Sequence, residues 1–327
     1  MNETADEHQS SKLVCWAVTL GYNNWDDTLE CLESLGQSRD IELHTVYVDN
    51  DSRDGSAERV AEAFPGTHVL QTGANLGFAR GFNVGLDYAL SRGADWIFMV
   101  NNDTALEPDG IARLIDEAKA HPEAGILVPK ILYYDARDCV WAAGSRFRRF
   151  PPSIVMRKTA GPDDGRYDGE PALEFATTCA LLLTRSFLQD VGLLDADFFI
   201  LYDDYDWSLR ARDAGFSIRL VPGARLYHKV SKSTGVGTRS PFFWTQYGRS
   251  TALFFRKHRN RRWMTGSAHL LYLLLRMVAE RKPFGVRPFL TGYREGLRMS
   301  LSPPPRAGAG EADPFTRVDR GGHRHRR

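Results

Sequence analysis

The sequence contains no uninterrupted apolar run of the roughly 20 residues that a helix needs to cross a bilayer. Residues 1–12 are polar and acidic, and they lack the apolar centre of a secretory signal. Cysteine is scarce: the four present, at positions 15, 31, 139 and 179, include no CxxC pair and have no histidine at zinc-binding spacing. These absences predict a cytoplasmic protein with reduced cysteines and disfavour a disulfide scaffold or a structural zinc site.

Acidic residues become rare toward the end of the chain. From residue 225 onward there are 22 Lys/Arg and 5 Asp/Glu, against 20 and 36 before it, although the formal net charge is only +1. An acidic body suits a metal site, whereas a basic end suits anionic lipid, a phosphate-bearing acceptor or nucleic acid. The alternative is a basic surface that is merely solvated.

Strand and helix patterns alternate over residues 13–133. Strands are predicted at 13–20, 43–48, 68–71, 96–100 and 125–128, with helices at 25–35, 54–64, 77–91 and 107–120. This rhythm is typical of an α/β fold with a mostly parallel sheet flanked by helices on both faces. Residues 134–238 begin with an arginine- and proline-rich loop at 135–169. A strand at 175–183, a helix at 203–214 and two short strands at 217–221 and 225–228 are predicted to follow it.

The part after residue 238 is predicted to be a helical extension, 239–301, between the 13–238 domain and a basic disordered tail at 302–327. Residues 1–12 are also predicted to be disordered. A helix at 263–281 is apolar almost all round and is flanked by arginines and a lysine. It is too short to span a bilayer, so it either lies in a membrane interface or packs against the body or a partner subunit.

Two predicted strands end on acids and amides. Residues 45–48 are followed by Asp49 and Asp51, and residues 97–100 by Asn101, Asn102 and Asp103. In open parallel sheets, ligands bind outside the carboxyl ends of the strands. The pattern predicts a site for a nucleotide and a divalent cation, which substrate phosphates would help to hold. Turn formation and helix capping are the alternative use of such residues.

Three further groups of residues indicate chemistry. Asp203 and Asp204 stand among aromatic residues, where crowding would raise one carboxyl pKa and favour a general base, although acids at a helix start also stabilise its dipole. His228, at a strand end, suits a metal ligand or a phosphate donor, with a structural role as the alternative. Gly77 and Arg80 near a helix start suit close approach to a phosphate, or simple packing.

Six motifs in order resemble the inverting, GT-A-type family 2 glycosyltransferases, and the rhamnosyltransferase-like branch in particular. They lie at residues 18–23, 48–56, 75–81, 101–103, 198–206 and 228 with 233–235. The resemblance implies a Rossmann-like GT-A fold, with 13–133 as the nucleotide-sugar-binding half and 134–238 as the acceptor and catalytic half. It implies transfer of a sugar, L-rhamnose from dTDP-rhamnose as first choice, from a dTDP- or UDP-sugar donor to a glycan or lipid-linked acceptor at the inner face of the plasma membrane.

The resemblance also implies roles for individual residues. The base is Asp204 with Asp203 beside it, and the ligands of Mg²⁺ or Mn²⁺ are Asp103 and His228. The donor nucleotide is held by Thr19, Tyr22, Asn23, Asp49, Asp51, Asn75, Gly77, Arg80 and Asn102. Trp141, Tyr202 and Trp207 are acceptor platforms, with core packing as the alternative for each ring. The chain departs from many relatives at Asn101, where they carry an acid.

Two other functions compete with a glycosyltransferase. A nucleotidyltransferase would need a glycine- and Lys/Arg-rich phosphate loop after the first strand, and residues 21–25 offer none. A nucleic-acid-binding module would interleave basic residues with exposed aromatics. Here the basic residues flank an apolar helix instead, which favours a membrane or a lipid-linked acceptor and no nucleic acid.

Overall fold

The computed structural model describes residues 13–148, 153–159, 161–230, 240–259, 266–280 and 282–308. The predicted disorder at 1–12, the motif residues 233–235 and positions 309–327 lie outside the described residues. In the first half of the chain, strands and helices alternate in nearly the predicted order. Its elements are β1 (Leu13–Gly21), α1 (Trp25–Gly36), β2 (Ile41–Asp49), α2 (Ser56–Ala63), β3 (His68–Gln71), α3 (Gly77–Ser91), β4 (Trp96–Asn101), β5 (Thr104–Leu106), α4 (Gly110–Ala120) and β6 (Ala124–Tyr133).

The second half adds strands and helices around the same sheet. Its elements are β7 (Val140–Ala142), β8 (Ser145–Arg148), β9 (Ser153–Met156), β10 (Ala180–Thr184), α5 (Arg185–Val191), α6 (Asp203–Asp213), β11 (Ser217–His228), α7 (Pro241–Lys257), α8 (Gly266–Ala279) and α9 (Val286–Arg298). A short 3₁₀ turn at Pro283–Gly285 joins α8 to α9.

The central sheet is mostly parallel, as predicted, with strand order β3-β2-β1-β4-β10-β6-β11-β5 in the described residues and β7 paired to β6. Strands β10, β5 and β7 run opposite to the others. The carboxyl ends of β1, β2, β4 and β11 therefore meet at one edge, together with the amino ends of β10 and β5. This edge collects polar residues from both halves of the chain.

Apolar side chains pack on both faces of the sheet. One layer buries α3, α5 and α6 through residues such as Phe82, Leu86 and Phe187, and the other buries α1, α2 and α4 through residues such as Leu32 and Ile111. Alternate residues of β1 divide between the two layers because successive strand side chains point to opposite faces. The predicted α/β class with flanking helices is confirmed.

The region 135–169 is more ordered than predicted. It contains β7, which pairs with β6, and the hairpin of β8 and β9. These strands are three or four residues long, so their sequence carries too little alternation to distinguish them from a loop. The two predicted strands at 217–221 and 225–228 are one strand, β11, whose pairing with β6 shifts register between Val221 and Arg225.

Helices α7 and α9 pack closely against each other. A Cβ on Gly292 would lie 1.8 Å from the backbone oxygen of Thr245, so only glycine permits this approach. Helix α8 buries one face, including Leu273 and Met277, against Trp244 of α7 and Phe289 of α9. Its opposite face exposes Leu271. One face of the helix is therefore packed within the protein and the other is open, and contact of the open face with a membrane stays a prediction.

The chain after α9 turns back onto the domain. Ser302 N–H donates to Asp197 at 2.9 Å, Pro305 accepts a backbone bond from Leu193 at 2.9 Å, and Gly308 N–H donates to Asp87 at 2.9 Å. The predicted disorder from residue 302 is therefore wrong for 302–308, because backbone bonds anchor this proline-rich stretch. Across the described residues, each helix is too short or too polar to cross a bilayer.

Candidate active site

A cavity of about 740 Å³ opens at the sheet edge where the polar strand ends meet. Its walls come from both halves of the sheet and from helices α6, α7 and α8. The predicted site residues among its lining are Tyr22, Asn75, Gly77, Asn102, Asp103, Trp141, Tyr202, Asp203, Asp204 and His228. The sheet therefore gathers into one place residues that are widely separated in the sequence.

Strand pairing brings Asp103 and His228 together. Asp103 sits between the end of β4 and the start of β5, and β5 pairs with the last residues of β11 so that Thr104 lies opposite His228. The Nε2 atom of His228 is 3.3 Å from Oδ1 of Asp103. Burial opposes a charged imidazole, but the adjacent thiol of Cys179 and carboxylate of Asp103 outweigh it and raise the pKa of His228.

Several polar atoms at this position are left without hydrogen bonds. Oδ1 of Asn101 and Nδ1 of His228 are buried without a partner among the described residues, and Oδ1 of Asp103 has the His228 ion contact alone. Within the same residues, no group of three or more His, Cys, Asp or Glu has metal-binding geometry. The donor set suits a divalent cation that takes its remaining ligands from substrate phosphates.

Asp203 and Asp204 are the first two residues of helix α6, and both line the cavity. Asp203 is 3% exposed, and its Oδ2 accepts a hydrogen bond from Thr178 at 3.1 Å. Asp204 accepts the backbone N–H of Tyr205 at 2.8 Å. No cation pairs with either carboxylate in the described part of the chain. Burial raises the pKa of Asp203 to about 6, and burial together with the charge of Asp203 raises the pKa of Asp204.

The substitution Asp203→Asn should shift the pH profile of turnover. The general base predicted at Asp204 would work only when ionised, so turnover should fall as the pH drops through the pKa of Asp204. The charge of Asp203 raises that pKa, and its removal lowers it. We expect the acid limb of kcat to move to lower pH, measured as kcat against pH. The surface variant Asp190→Asn should show the same acid limb of kcat as the wild type. An unchanged acid limb in Asp203→Asn would contradict the electrostatic coupling between Asp203 and Asp204.

A polar corner of the cavity is built from amides. Asn50 donates from Nδ2 to Asn75 Oδ1 and to the Gly77 carbonyl, both at 3.2 Å. Gly77 has φ +80°, and a Cβ there would lie 2.6 Å from the Phe199 carbonyl oxygen. Asn102 donates to Thr28 at 2.8 Å. Together with the exposed ring of Tyr22, these groups offer hydrogen bonds and an aromatic face at the donor side of the sheet edge.

Five residues predicted to bind the nucleotide do not line the cavity: Thr19, Asn23, Asp49, Asp51 and Arg80. Thr19 is fully buried in β1. Asn23 and Asp49 serve the turn after β2, with Asn23 accepting from Arg53 N–H at 2.8 Å and Asp49 from Ser52 N–H at 3.1 Å. Asp51 occupies the same turn with φ +71°.

Arg80 is exposed and does not line the cavity. Its Nε donates to the carbonyl of Ala196 at 3.0 Å, so the guanidinium ties α3 to the loop before α6. The predicted contact of Arg80 with a phosphate therefore finds no support in its position. Burial raises the pKa of the Asp49 carboxyl. The next residue in the sequence, Asn50, lines the cavity, whereas Asp49 does not.

Two of the three predicted acceptor platforms lie at the cavity. Trp141 packs edge-on to His228, with ring centroids 4.4 Å apart, and the Tyr202 hydroxyl is 3.1 Å from Nε2 of His269. Trp207 is 1% exposed, packs on Phe187 and donates to a backbone carbonyl at 3.0 Å. The prediction for Trp207 is wrong, because one turn into α6 the side chains point into the core.

Sequence reasoning missed several residues of the cavity wall. Asn50 adjoins predicted residues, and the motif around Asp49 could have indicated it. Thr178, His269, Tyr272 and Arg276 come from a strand end and from α8. No local pattern marks them, since their position depends on where the C-terminal helices pack.

The fold and the cavity define a glycosyltransferase with the GT-A fold, and the chain belongs to glycosyl transferase family 2, whose sequence profile matches residues 17–189. More than half of the chain is covered. This membership confirms the predicted family.

Two named relatives are rhamnosyltransferases, which confirms the resemblance to that branch. An N-acetylglucosaminyl-diphospho-decaprenol L-rhamnosyltransferase of Mycobacterium tuberculosis is 27% identical over 227 residues, covering 62% of this chain and 72% of that protein. A dTDP-rhamnosyl transferase of Shigella flexneri is 20% identical over 220 residues, covering 66% and 69%.

Solved structures share the fold. GalNAc-T7, crystallised with UDP, GalNAc and Mn²⁺, has a TM-score of 0.57 at 13% identity, and the match covers 88% of this chain but only 56% of that one. A mannosyltransferase of Pyrobaculum calidifontis, in complex with GDP-Man and Mn²⁺, has a TM-score of 0.52 at 14% identity, covering 88% and 76%.

Proposed function

We propose that this glycosyltransferase moves a sugar with inversion from a nucleotide-diphosphate donor to a hydroxyl group of a glycan or lipid-linked acceptor. The observation that carries the proposal is that Asp103 with His228, and Asp204 with Asp203, line one cavity. The first pair suits the leaving diphosphate and the second suits the attacking hydroxyl. The named relatives make dTDP-rhamnose the first choice of donor and L-rhamnose the transferred sugar.

The nucleotide of the donor would occupy the polar corner of the cavity. Tyr22 offers a ring for the base, and Asn75 and Asn102 offer amide groups for the base and ribose. The side chain of Asn50 is bonded to Asn75, Gly77 and Leu76 and so fixes the shape of this corner. The turn that contains Asp49 would support this corner from outside the cavity. The diphosphate would then reach Asp103 at the end of β4.

Asp103 and His228 would hold a divalent metal, Mg²⁺ or Mn²⁺, against the donor diphosphate. Their buried, unpartnered atoms fit such an ion, and two structural neighbours were crystallised with Mn²⁺. When bound, the cation neutralises negative charge that develops on the leaving phosphate oxygens. Asn101, an amide where many relatives have an acid, keeps an oxygen at this position without adding charge.

Asp204 would act as the general base. It accepts the proton of the acceptor hydroxyl while the oxygen attacks the anomeric carbon from the face opposite the diphosphate. The bond from that carbon to the phosphate oxygen breaks, and the configuration inverts. Asp203 raises the basicity of its neighbour by repulsion, and Trp141 and Tyr202 offer faces for the acceptor sugar.

The enzyme would work at the inner face of the plasma membrane, in the cytoplasm. Helix α8 exposes three apolar side chains, with Leu271, Leu275 and Val278 each 58–63% exposed. Exposed basic residues, including Arg276 and Arg287, lie on α8 and α9. An apolar face beside positive charge suits contact with an anionic membrane surface.

A donor screen tests the proposed reaction. The purified protein would be incubated with Mn²⁺, a lipid-linked sugar acceptor and a panel of dTDP-, UDP- and GDP-sugars, with release of the nucleoside diphosphate followed over time. We expect dTDP-rhamnose to give a rate at least about tenfold above the others, since donor sites discriminate through buried hydrogen bonds. A faster rate with another donor would overturn the rhamnose assignment, and no release with any donor would overturn the transfer itself.

A further inference from the structure

Part of the cavity wall comes from the C-terminal helices, outside the residues 17–189 that define the family match. Aromatic and apolar side chains dominate there, among them Phe243, Tyr247, Tyr272 and Leu273. The residues assigned to the donor, Tyr22, Asn75 and Asn102, lie at the strand ends and before α3, so the C-terminal wall remains for the acceptor.

One positive charge stands in this apolar wall. Among the cavity-lining residues that the structure describes, Arg276 of α8 is the only arginine or lysine. Its Nε donates to Glu280 one turn along the helix at 2.5 Å, and this carboxylate raises the pKa of Arg276. Glu280 also pairs with Lys282 at 2.5 Å, so Arg276, Glu280 and Lys282 together carry a net charge of +1. An anion is the natural ligand of such a group.

A second guanidinium reaches the same wall from a different element. Arg148, at the end of β8, donates from Nη2 to the Tyr272 hydroxyl at 3.3 Å, and its Nε donates to Ser153 of β9 at 3.1 Å. Tyr272 lies one helical turn before Arg276 on α8, so the two side chains share a face. Arg148 therefore contacts Tyr272 of the cavity wall, and Arg276, whose side chain is half-exposed at the cavity rim, lies one turn further along the helix.

The exposed apolar face of α8 begins next to this rim. Leu275 directly precedes Arg276 and is 62% exposed, and Leu271 is 58% exposed. Exposure thus increases from Asp204, which lines the cavity, through Arg276, whose side chain is 53% exposed, to Leu271 and Leu275. A sugar, a phosphate ester and a hydrocarbon chain follow one another in the same order in a lipid-linked saccharide.

We propose that Arg276 and Arg148 form a binding site for the phosphate or diphosphate of a lipid-linked acceptor. The proposal rests on the glycosyltransferase function above and assigns its acceptor class. The arginines hold the phosphate at the rim, the sugar hydroxyl faces Asp204, and the hydrocarbon chain leaves along Leu271 and Leu275. Guanidinium groups suit this role because they bind phosphate through paired, charge-assisted hydrogen bonds.

Direct binding tests the site without requiring turnover. Decyl diphosphate would be titrated calorimetrically into the wild-type chain, Arg276→Gln, Arg148→Gln and the surface control Arg294→Gln, with dTDP plus Mn²⁺ titrated in parallel. We expect decyl diphosphate to bind at least about tenfold more weakly to Arg276→Gln and to Arg148→Gln, with dTDP binding unchanged. Arg276→Lys should recover part of the loss. Arg294→Gln should match the wild type.

Three outcomes would overturn the site: no binding of decyl diphosphate by the wild type, no loss in either arginine variant, or an equal loss of dTDP affinity, which would assign the arginines to the donor. Thermal unfolding checks that Arg276→Gln remains folded, and Glu280 keeps its bond to Lys282 in that variant. Failure of the transferase function would show differently, as intact diphosphate binding with no sugar transfer from any donor.

Discussion

The substitution Asp204→Asn should lower kcat for sugar transfer by about a thousandfold, since a positioned general base contributes roughly 10²–10⁴-fold. An amide keeps the shape of the side chain but cannot accept the proton of the attacking hydroxyl. Donor affinity should stay near the wild-type value, because Asp204 stands on α6 and the amides of the donor corner come from other elements. Transfer would be followed by product formation, and donor binding by calorimetry.

The exposed variant Asp190→Asn on α5 is the matched control for Asp204→Asn, and it should retain full turnover. Asp203→Asn distinguishes the two neighbouring acids. It should keep substantial turnover with a shifted pH profile, whereas Asp204→Asn should stay about a thousandfold slower than the wild type at every pH. Normal turnover in Asp204→Asn would remove this carboxylate from the mechanism.

The substitution Asp103→Asn should abolish metal-dependent donor binding. Asp103 offers the one carboxylate in the His228 pair, and outer-shell changes alone cost roughly 10–100-fold in metal affinity. Loss of a direct ligand should therefore weaken Mn²⁺-dependent binding of the nucleotide diphosphate by at least about 100-fold. The measurement is a calorimetric titration of dTDP with and without Mn²⁺, and chelation of the metal from the wild type should reproduce the loss.

The exposed acid Asp116 on α4 provides the control for Asp103→Asn. Asp116→Asn should bind dTDP and Mn²⁺ as the wild type does. The asparagine at 103 can still hydrogen-bond to His228, so the fold should persist, and thermal unfolding would verify this. Unchanged metal dependence in Asp103→Asn would place the cation elsewhere in the molecule.

Local patterns predicted the first half of the fold well because each strand and helix there carries its own periodicity. The proximity of Asp103 and His228 was also predictable, since both lie at the ends of apolar strands and parallel strands end at one edge. The three-residue strand β5 was missed because it exists only through pairing with β11. That same pairing brings Asp103 within reach of His228.

Some predicted residues do not line the cavity because their side chains are engaged elsewhere. Arg80 and Trp207 each donate to a backbone carbonyl of a segment distant in the sequence, whereas Asp49 accepts from Ser52 N–H within its own turn. Which way a side chain turns depends on contacts between distant segments. The contribution of α8 to the cavity was unpredictable for the same reason, since its apolar sequence suits a membrane, a partner or the body equally.

A crystal structure of the chain with dTDP and Mn²⁺ would be the most decisive measurement. We expect the nucleotide in the corner formed by Tyr22, Asn50 and Asn75, with the ion between Asp103, His228 and the diphosphate. The open part of the cavity beside the phosphate should face Asp204. A nucleotide bound on another surface, or a diphosphate separated from Asp204 by a wall of the protein, would contradict the proposed transferase site.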